Sequence, residues 1–261
     1  MKFKDGRPYF VVFRGLMTVF LFFVFSCNRE DVPDCFKNAG DIVRTEVDLS
    51  GFSKITVFEK VGLILKQGDV QKVEIETGEF LQKSITVEVV DGRLLLGNDN
   101  GCNLFRDYGV TKVYVTAPDI TEIRSSTGLP IKSDGVLGYE SLRLFTESFT
   151  NPETETTDGE FDLDLNTGSL SITTNGIAYF KLKGTSDKLN INIAAGDSRI
   201  EAGDLMADTV VLNHRGTNDI QVNPQESISG VIRGTGDVIS YNQPEIIDVE
   251  ELYTGKIIFK D

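Results

Sequence analysis

The sequence predicts an all-β chain whose second half winds as a solenoid, and three observations carry that expectation. Apolar residues alternate with polar ones in brief runs, rich in β-branched side chains and bounded by Gly, Asp or Asn. No stretch of ten residues shows the 3.6-residue period of an amphipathic helix. Through the second half a Gly-Thr-type turn returns at an interval of about 19 residues.

The runs come in order as Ile55–Phe58, Val61–Leu65, Val73–Ile75, Ile85–Val89, Leu94–Leu96, Val113–Val115 and Ile120–Ile123. Lys66-Gln67-Gly68-Asp69 and Val90-Asp91-Gly92-Arg93 read as hairpin turns, because such turns need positive φ at their centre. Phe161–Leu165 and Leu189–Ile193 alternate strictly, aliphatic or aromatic on one side and Asp or Asn on the other.

Variants of one turn start at Asn166, Gly184, Gly196, Gly216, Gly234 and Tyr253, at intervals of 18, 12, 20, 18 and 19. Four positions beyond each start stand Leu170, Lys188, Ile200, Ile220, Val238 and Ile257, so an apolar side chain follows all but one. Ser126-Thr127-Gly128 reads as an earlier copy, with Asn151–Glu155 an insertion between copies. A helical pair needs more than about 30 residues per repeat. A unit near 19 suits one coil of a β-solenoid, with small polar residues at the corners and apolar ones inside.

The chain of 261 residues has 26 basic and 40 acidic residues, a formal charge of −14, with one His and no Trp. That balance argues against a nucleic-acid partner, since phosphate affinity comes from Lys and Arg displacing counterions. A single His leaves little material for His-based metal sites or nucleophile–His pairs. No cofactor is expected.

Lys2, Lys4, Arg7 and Arg14 precede an apolar run from Gly15 to Phe25. As a helix that run reaches only about 17 Å, too short for a hydrocarbon core of about 30 Å, and it reads as the core of a secretory signal. Val24-Phe25-Ser26-Cys27 resembles a bacterial lipobox, which implies cleavage before Cys27 and lipid attachment to it. Asn28-Arg29-Glu30-Asp31 resembles the acidic surface-export signal of Bacteroidetes lipoproteins. The expected organisation is therefore a signal peptide at 1–26, a lipidated Cys and tether at 27–45, and a body at 46–261. Within the body, 46–124 is an irregular β half and 125–261 the repeat half. Without 1–26 the formal charge becomes −17, which keeps the body off anionic headgroups and leaves the lipid as its membrane contact. Cys35 and Cys102 remain as an even pair for an oxidising compartment; a disulfide is favoured over two buried thiols.

The Gly-Thr-Gly-Asp-type corners, the opening Phe52-Ser53-Lys54-Ile55-Thr56-Val57 and the closing Tyr241-Asn242-Gln243-Pro244 resemble the family described as "putative auto-transporter adhesin, head GIN domain", over about Phe52 to Ile258. Asn218 stands where the second Gly of a corner is usual. The resemblance implies a right-handed parallel β-helix-like structure, and Asp34-Cys35-Phe36 with Gly101-Cys102-Asn103 is similar to a Cys pair of some members.

Each candidate for chemistry has a plainer account. His214 reads as an exposed corner residue. The Gly-Thr-Gly-Asp corners join strand to strand, so they are turns and not phosphate cradles. Asp158, Glu160, Asp162, Asp164 and Asn166 share one strand face. They form either a ladder of oxygen ligands for a hard cation or a solvated face. Leu104–Tyr108 is a recognition loop or an end cap. The expected role is non-catalytic, adhesion-like binding of a glycan or protein by an outer-membrane lipoprotein facing the cell surface. A carbohydrate-active β-helix enzyme and a structural envelope protein are the alternatives. An enzyme requires a groove with convergent carboxylates or a bound cation; a binder requires an exposed apolar or aromatic patch, or a flat face complementary to a partner; a structural protein has uniformly polar faces and neither feature. Neither the ligand's identity nor the oligomeric state follows from the sequence.

Overall fold

The computed structural model describes residue 35 and residues 37–102, 107–149 and 156–260. The leader, Cys27, Asn28–Asp31, Leu104–Arg106 and Asn151–Glu155 lie outside them.

The early strands are β1 (Ile42–Val47), β2 (Lys54–Val57), β3 (Gly62–Gln67), β4 (Lys72–Gly78), β5 (Ile85–Val90) and β6 (Arg93–Asn98). Then come β7 (Lys112–Ala117), β8 (Glu122–Ser125), β9 (Pro130–Leu137) and β10 (Ser141–Phe145). The repeat half holds β11 (Gly159–Thr174), β12 (Ala178–Ile193), β13 (Arg199–His214), β14 (Ile220–Ile232), β15 (Val238–Ser240), β16 (Ile246–Glu251) and β17 (Ile257–Phe259). No α-helix occurs among the described residues. The all-β expectation holds, and the first strand begins inside the 27–45 segment.

The long strands each bend once. In β11 the buried positions are Phe161, Leu163 and Leu165 before the bend and Leu170 and Ile172 after it. The inward side thus changes from odd to even numbers at Thr167-Gly168, which turns the chain while keeping both halves on the core. Two rows of strands result. One runs β5, β6, β2, β8, β10, the second halves of β11 to β14, and β16. The other runs β1, β4, β7, β3, β9, the first halves of β11 to β14, β15 and β17. Both belong to one mixed sheet that curls as a half-barrel around a single apolar core.

Pairing is parallel from β8 to β17, and antiparallel only in β1–β4, β4–β7 and β5–β6 among the described strands. The parallel register places like on like. Leu170, Leu189, Val210, Ile228 and Ile247 align at steps of 19, 21, 18 and 19 residues. Ile131, Phe161, Phe180, Ile200, Ile220 and Val238 align on the other row, all fully buried. The Phe161 and Phe180 rings stack with centroids 4.8 Å apart. Each such side chain contributes about 1.5–3 kcal/mol by leaving water.

The Val90–Arg93 hairpin forms as expected: Val90 pairs with Arg93, and Asp91 and Gly92 have φ of 49° and 73°. Lys66–Asp69 is not a hairpin. β3 and β4 do not pair there; β7 lies between them, parallel to one and antiparallel to the other. The chain crosses over β7, held by Gly68 N–H donating to Ala117 O at 3.1 Å.

The turn copies divide between two bends. Gly176, Gly196, Gly216, Gly234 and Gly255 stack on one: Asp197 N–H donates to Gly176 O, Thr217 to Gly196 O, Thr235 to Gly216 O and Gly255 to Gly234 O, at 2.9–3.2 Å. Asn166 and Gly184 lie on the other, where Thr185 Oγ1 donates to Asn166 Oδ1 at 2.9 Å. The irregular interval of 12 is the step from one bend to the other. Asn175-Gly176 is a further copy that the spacing had hidden.

His214 is buried, not exposed. The register puts it on an inward position between Ile193 and Ile232. Its nitrogens face the backbone of Asn218 and Gly236 without a well-aligned hydrogen bond. Burial lowers its pKa below the usual 6.5, partly opposed by those carbonyls and by Asp219 and Asp237.

Two outcomes follow from this packing. At Gly196 φ is +90° and a Cβ would lie 2.3 Å from Gly176 O, whereas Gly128 has open space. In urea denaturation, Gly196→Ala therefore loses about 1–3 kcal/mol and Gly128→Ala stays near wild type. The unfolded chain takes up a proton at His214 below about pH 6.5 and the folded chain resists it, so stability falls as pH drops through that value. His214→Ile removes this loss, seen as a flatter decline in stability from about pH 7 to about pH 5 than in wild type.

Candidate functional site

The two rows present different outward faces. On the β9–β13 side, Lys132, Asp162, Lys181 and Glu201 lie side by side in register, as do Asp164, Lys183 and Asp204. Lys183 Nζ is 3.0 Å from Asp164, Lys132 Nζ 3.9 Å from Asp162, and Arg199 2.8 Å from Glu201. Tyr179 lies between Glu160 and Arg199 and donates its hydroxyl to Glu201; that hydrogen bond, then burial, raises the phenol pKa. The acidic ladder is thus interleaved with cations, and no cluster of three metal-ligating side chains occurs among the described residues.

The opposite face is almost free of charge. Across β11 to β14 its outward triplets are Ser169-Ser171-Thr173, Lys188-Asn190-Asn192, Thr209-Val211-Asn213 and Ser227-Ser229-Val231. Lys188 alone is ionised. Asn213 Nδ2 donates to Asn192 Oδ1 at 2.8 Å, tying neighbouring coils by an amide contact. In a chain that is 25% charged, this is a field mostly of hydroxyl and amide groups, with Val211 and Val231 among them.

An arginine cluster heads that field. Arg143 pairs with Glu122 and Ser171, and Phe145 with Arg124 and Thr173, across β8, β10 and β11. The Glu122 carboxylate accepts from Arg93 and, at 3.3 Å, from Arg143. Beside it Arg124 and Glu147 form a buried ion pair at 3.7 Å. The Arg124 and Arg143 guanidiniums lie 5.1 and 5.8 Å from the Phe145 ring centroid. Glu147 also accepts the Phe149 N–H at 2.6 Å, which fixes the start of a loop with Phe149 itself exposed. Phe149, Thr173, Asn192 and Ala194 line, with these groups, a cleft of about 490 Å³.

A second groove, about 590 Å³, lies over β7, β3 and β9, with Ile64, Leu129 and Pro130 flanked by Lys112 and Lys132. Its Tyr114 ring carries the Arg44 guanidinium 3.6 Å from the centroid and donates to Glu76 at 3.2 Å; burial, then Glu76, raises the phenol pKa.

The sulfurs of Cys35 and Cys102 are bonded, across 67 residues of sequence. The described end of the nearby aromatic loop, Tyr108, is exposed. None of the arginine cluster was picked out by sequence spacing, because its members come from three strands. The one available signal was a set of Arg and Phe at outward positions of short strands: Arg93, Arg124, Arg143 and Phe145.

Fold and faces together define an all-β protein with long accessible sheet surfaces. The chain belongs to the family described as "Putative auto-transporter adhesin, head GIN domain", whose model matches residues 51–244. A crystal structure of a putative adhesin from Bacteroides fragilis is similar, with TM-score 0.74 and 22% identity, over 84% of this chain and 97% of that one. A putative lipid binding protein from Parabacteroides distasonis gives 0.60 and 17%, over 84% and 97%. A putative adhesin from Parabacteroides merdae gives 0.57 and 16%, over 85% and 97%. At these identities the likeness shows the fold. Among curated proteins no relative matches. No helix among the described residues is long and apolar enough to cross a membrane.

Because lysines interleave the acidic ladder, millimolar calcium and a chelator should give the same thermal midpoint. A tight site would raise the midpoint with calcium, by mass action on the folded state.

Proposed function

We propose that this protein is a lipoprotein of the outer membrane, facing the cell surface, which binds a glycan or protein partner without catalysing its conversion. The observation that carries the reading is the flat Ser/Thr/Asn face headed by the Arg–Phe cleft. It offers dense neutral hydrogen-bonding groups beside an exposed aromatic ring, the arrangement a binder requires. Membership in an adhesin-named family and likeness to adhesin-named structures support the same reading and an envelope or surface location.

The anchoring part rests on the sequence. Residues 1–26 act as the leader, Cys27 carries the lipid, 27–45 serve as the tether and 46–261 form the body. In the oxidising envelope the Cys35–Cys102 bond persists. The parallel rows of β8 to β17 are read as coils of a right-handed β-helix, with β1 and β4 to β6 as its irregular start.

Two carboxylates, Glu122 and Glu147, do line the cleft. Both are engaged by guanidiniums, Arg93 and Arg143 on one and Arg124 on the other. General acid–base cleavage needs a carboxyl group able to hand over a proton at the scissile bond, so this arrangement favours binding.

Fractionation of cells checks the anchor: Cys27→Ala should leave the membrane fraction and lose the acyl mass. Arrays of glycans and of host and envelope proteins, probed with the purified protein, check the face. Ser171→Arg with Val211→Arg places bulk and charge in its centre and should abolish the binding. A hit that survives this double change, with folding intact, places the function elsewhere.

A further inference from the structure

We infer that the Arg–Phe cleft is a subsite for a carboxylated sugar. This rests on the binding role proposed above and names the chemistry of its ligand. Arg93, Glu122 and Arg143 together leave one positive charge at the cleft, while Arg124 and Glu147 cancel. That excess stands out on a chain of formal charge −14. It is also directional: the Arg143 side chain is 62% exposed, against 23% for Arg93 and 9% for Glu122. Arg143 spends one Nη on Glu122 and turns the rest of its planar fork to solvent, and such a fork matches a carboxylate by two parallel hydrogen bonds.

The groups around it suit a sugar ring more than a bare anion. Phe149, 75% exposed, offers a flat face to ring C–H groups on one side of the cleft. Thr173 and the Asn192 amide, on the other side, supply donors and acceptors for ring hydroxyls. A second unit of the same chain would then extend over Asn190 and Asn213, along the face whose one charged side chain is Lys188 and away from the acidic one. The cleft orders these groups before any ligand arrives, because Glu122 holds both arginines and Glu147 holds the Phe149 backbone.

The test compares matched probes on the purified protein by calorimetry: oligogalacturonate against its methyl ester, and sialyllactose against lactose. The inference expects at least one acid to bind more tightly than its neutral partner, by roughly ten- to a hundredfold. The two pairs separate uronic from sialic acids as the source of the carboxylate. Arg143→Gln should remove that preference with an unchanged thermal midpoint, Arg143→Lys should restore it only in part, and Phe149→Ala should weaken both members of the preferred pair. Equal affinity for acid and neutral forms, or an Arg143→Gln protein that binds like wild type, would overturn the inference. Binding of neither acid overturns it too, as does tighter binding of an aspartate-rich peptide than of both sugars. In each case a partner found on the arrays and lost in the Ser171→Arg/Val211→Arg protein still stands, so the two readings fail separately.

Discussion

Everything in the repeat half depends on one constraint: parallel strands about 4.8 Å apart must put the same kind of side chain at the same height in every strand. A column such as Leu170, Leu189, Val210, Ile228 is continuous only if each repeat has the right number of residues between bends. The corner stack meets that requirement by bringing backbones so close that Gly176, Gly196, Gly216, Gly234 and Gly255 recur there. The repeat length varies between 18 and 21 residues, and register shifts within β12–β13 and β13–β14 absorb the difference.

With inward positions committed to the core, the outward ones are where the protein differs from face to face. One row carries alternating charges whose attraction across coils is screened by water and worth little individually. The other carries hydroxyls and amides. The hydroxyl and amide face ends where β11 meets β10, and beside that edge, on β8 and just after β10, Arg124 and Glu147 form a buried pair. A buried pair of this kind is weak evidence for stability, since desolvation offsets attraction, but it fixes where the Phe149 loop begins.

Local features of this design were legible in the sequence. Alternation marked Phe161–Leu165 as a strand, and the Asp91-Gly92 pair marked a hairpin. What could not be read was anything set by register. His214 sits in Asn213-His214-Arg215, a polar stretch that suggests exposure, and only alignment with Ile193 and Ile232 reveals its inward side. Both bends of a coil use the same glycine chemistry, so one list of turns mixed two stacks. The Lys66–Asp69 turn has hairpin composition, yet the strand between its arms arrives from residues 112–117. The arginine cluster was invisible for the same reason, since Arg93 and Glu122 meet across β2, which pairs with both, and Arg143 joins them through the pairing of β10 with β8.

The disulfide has a mechanical consequence. A pull on the chain ahead of Cys35 passes directly to Cys102, because the bond is a covalent shortcut between them. The 67 residues of separation, which would otherwise pay out about 230 Å of slack on unravelling, are removed from the load path. β1 to β6 lie inside that shortcut, so they feel no tension while the bond holds. Force applied at the N-terminal side therefore first meets β7, an interior strand paired on both sides, and not the exposed edge strand β1 from which a sheet is most readily peeled.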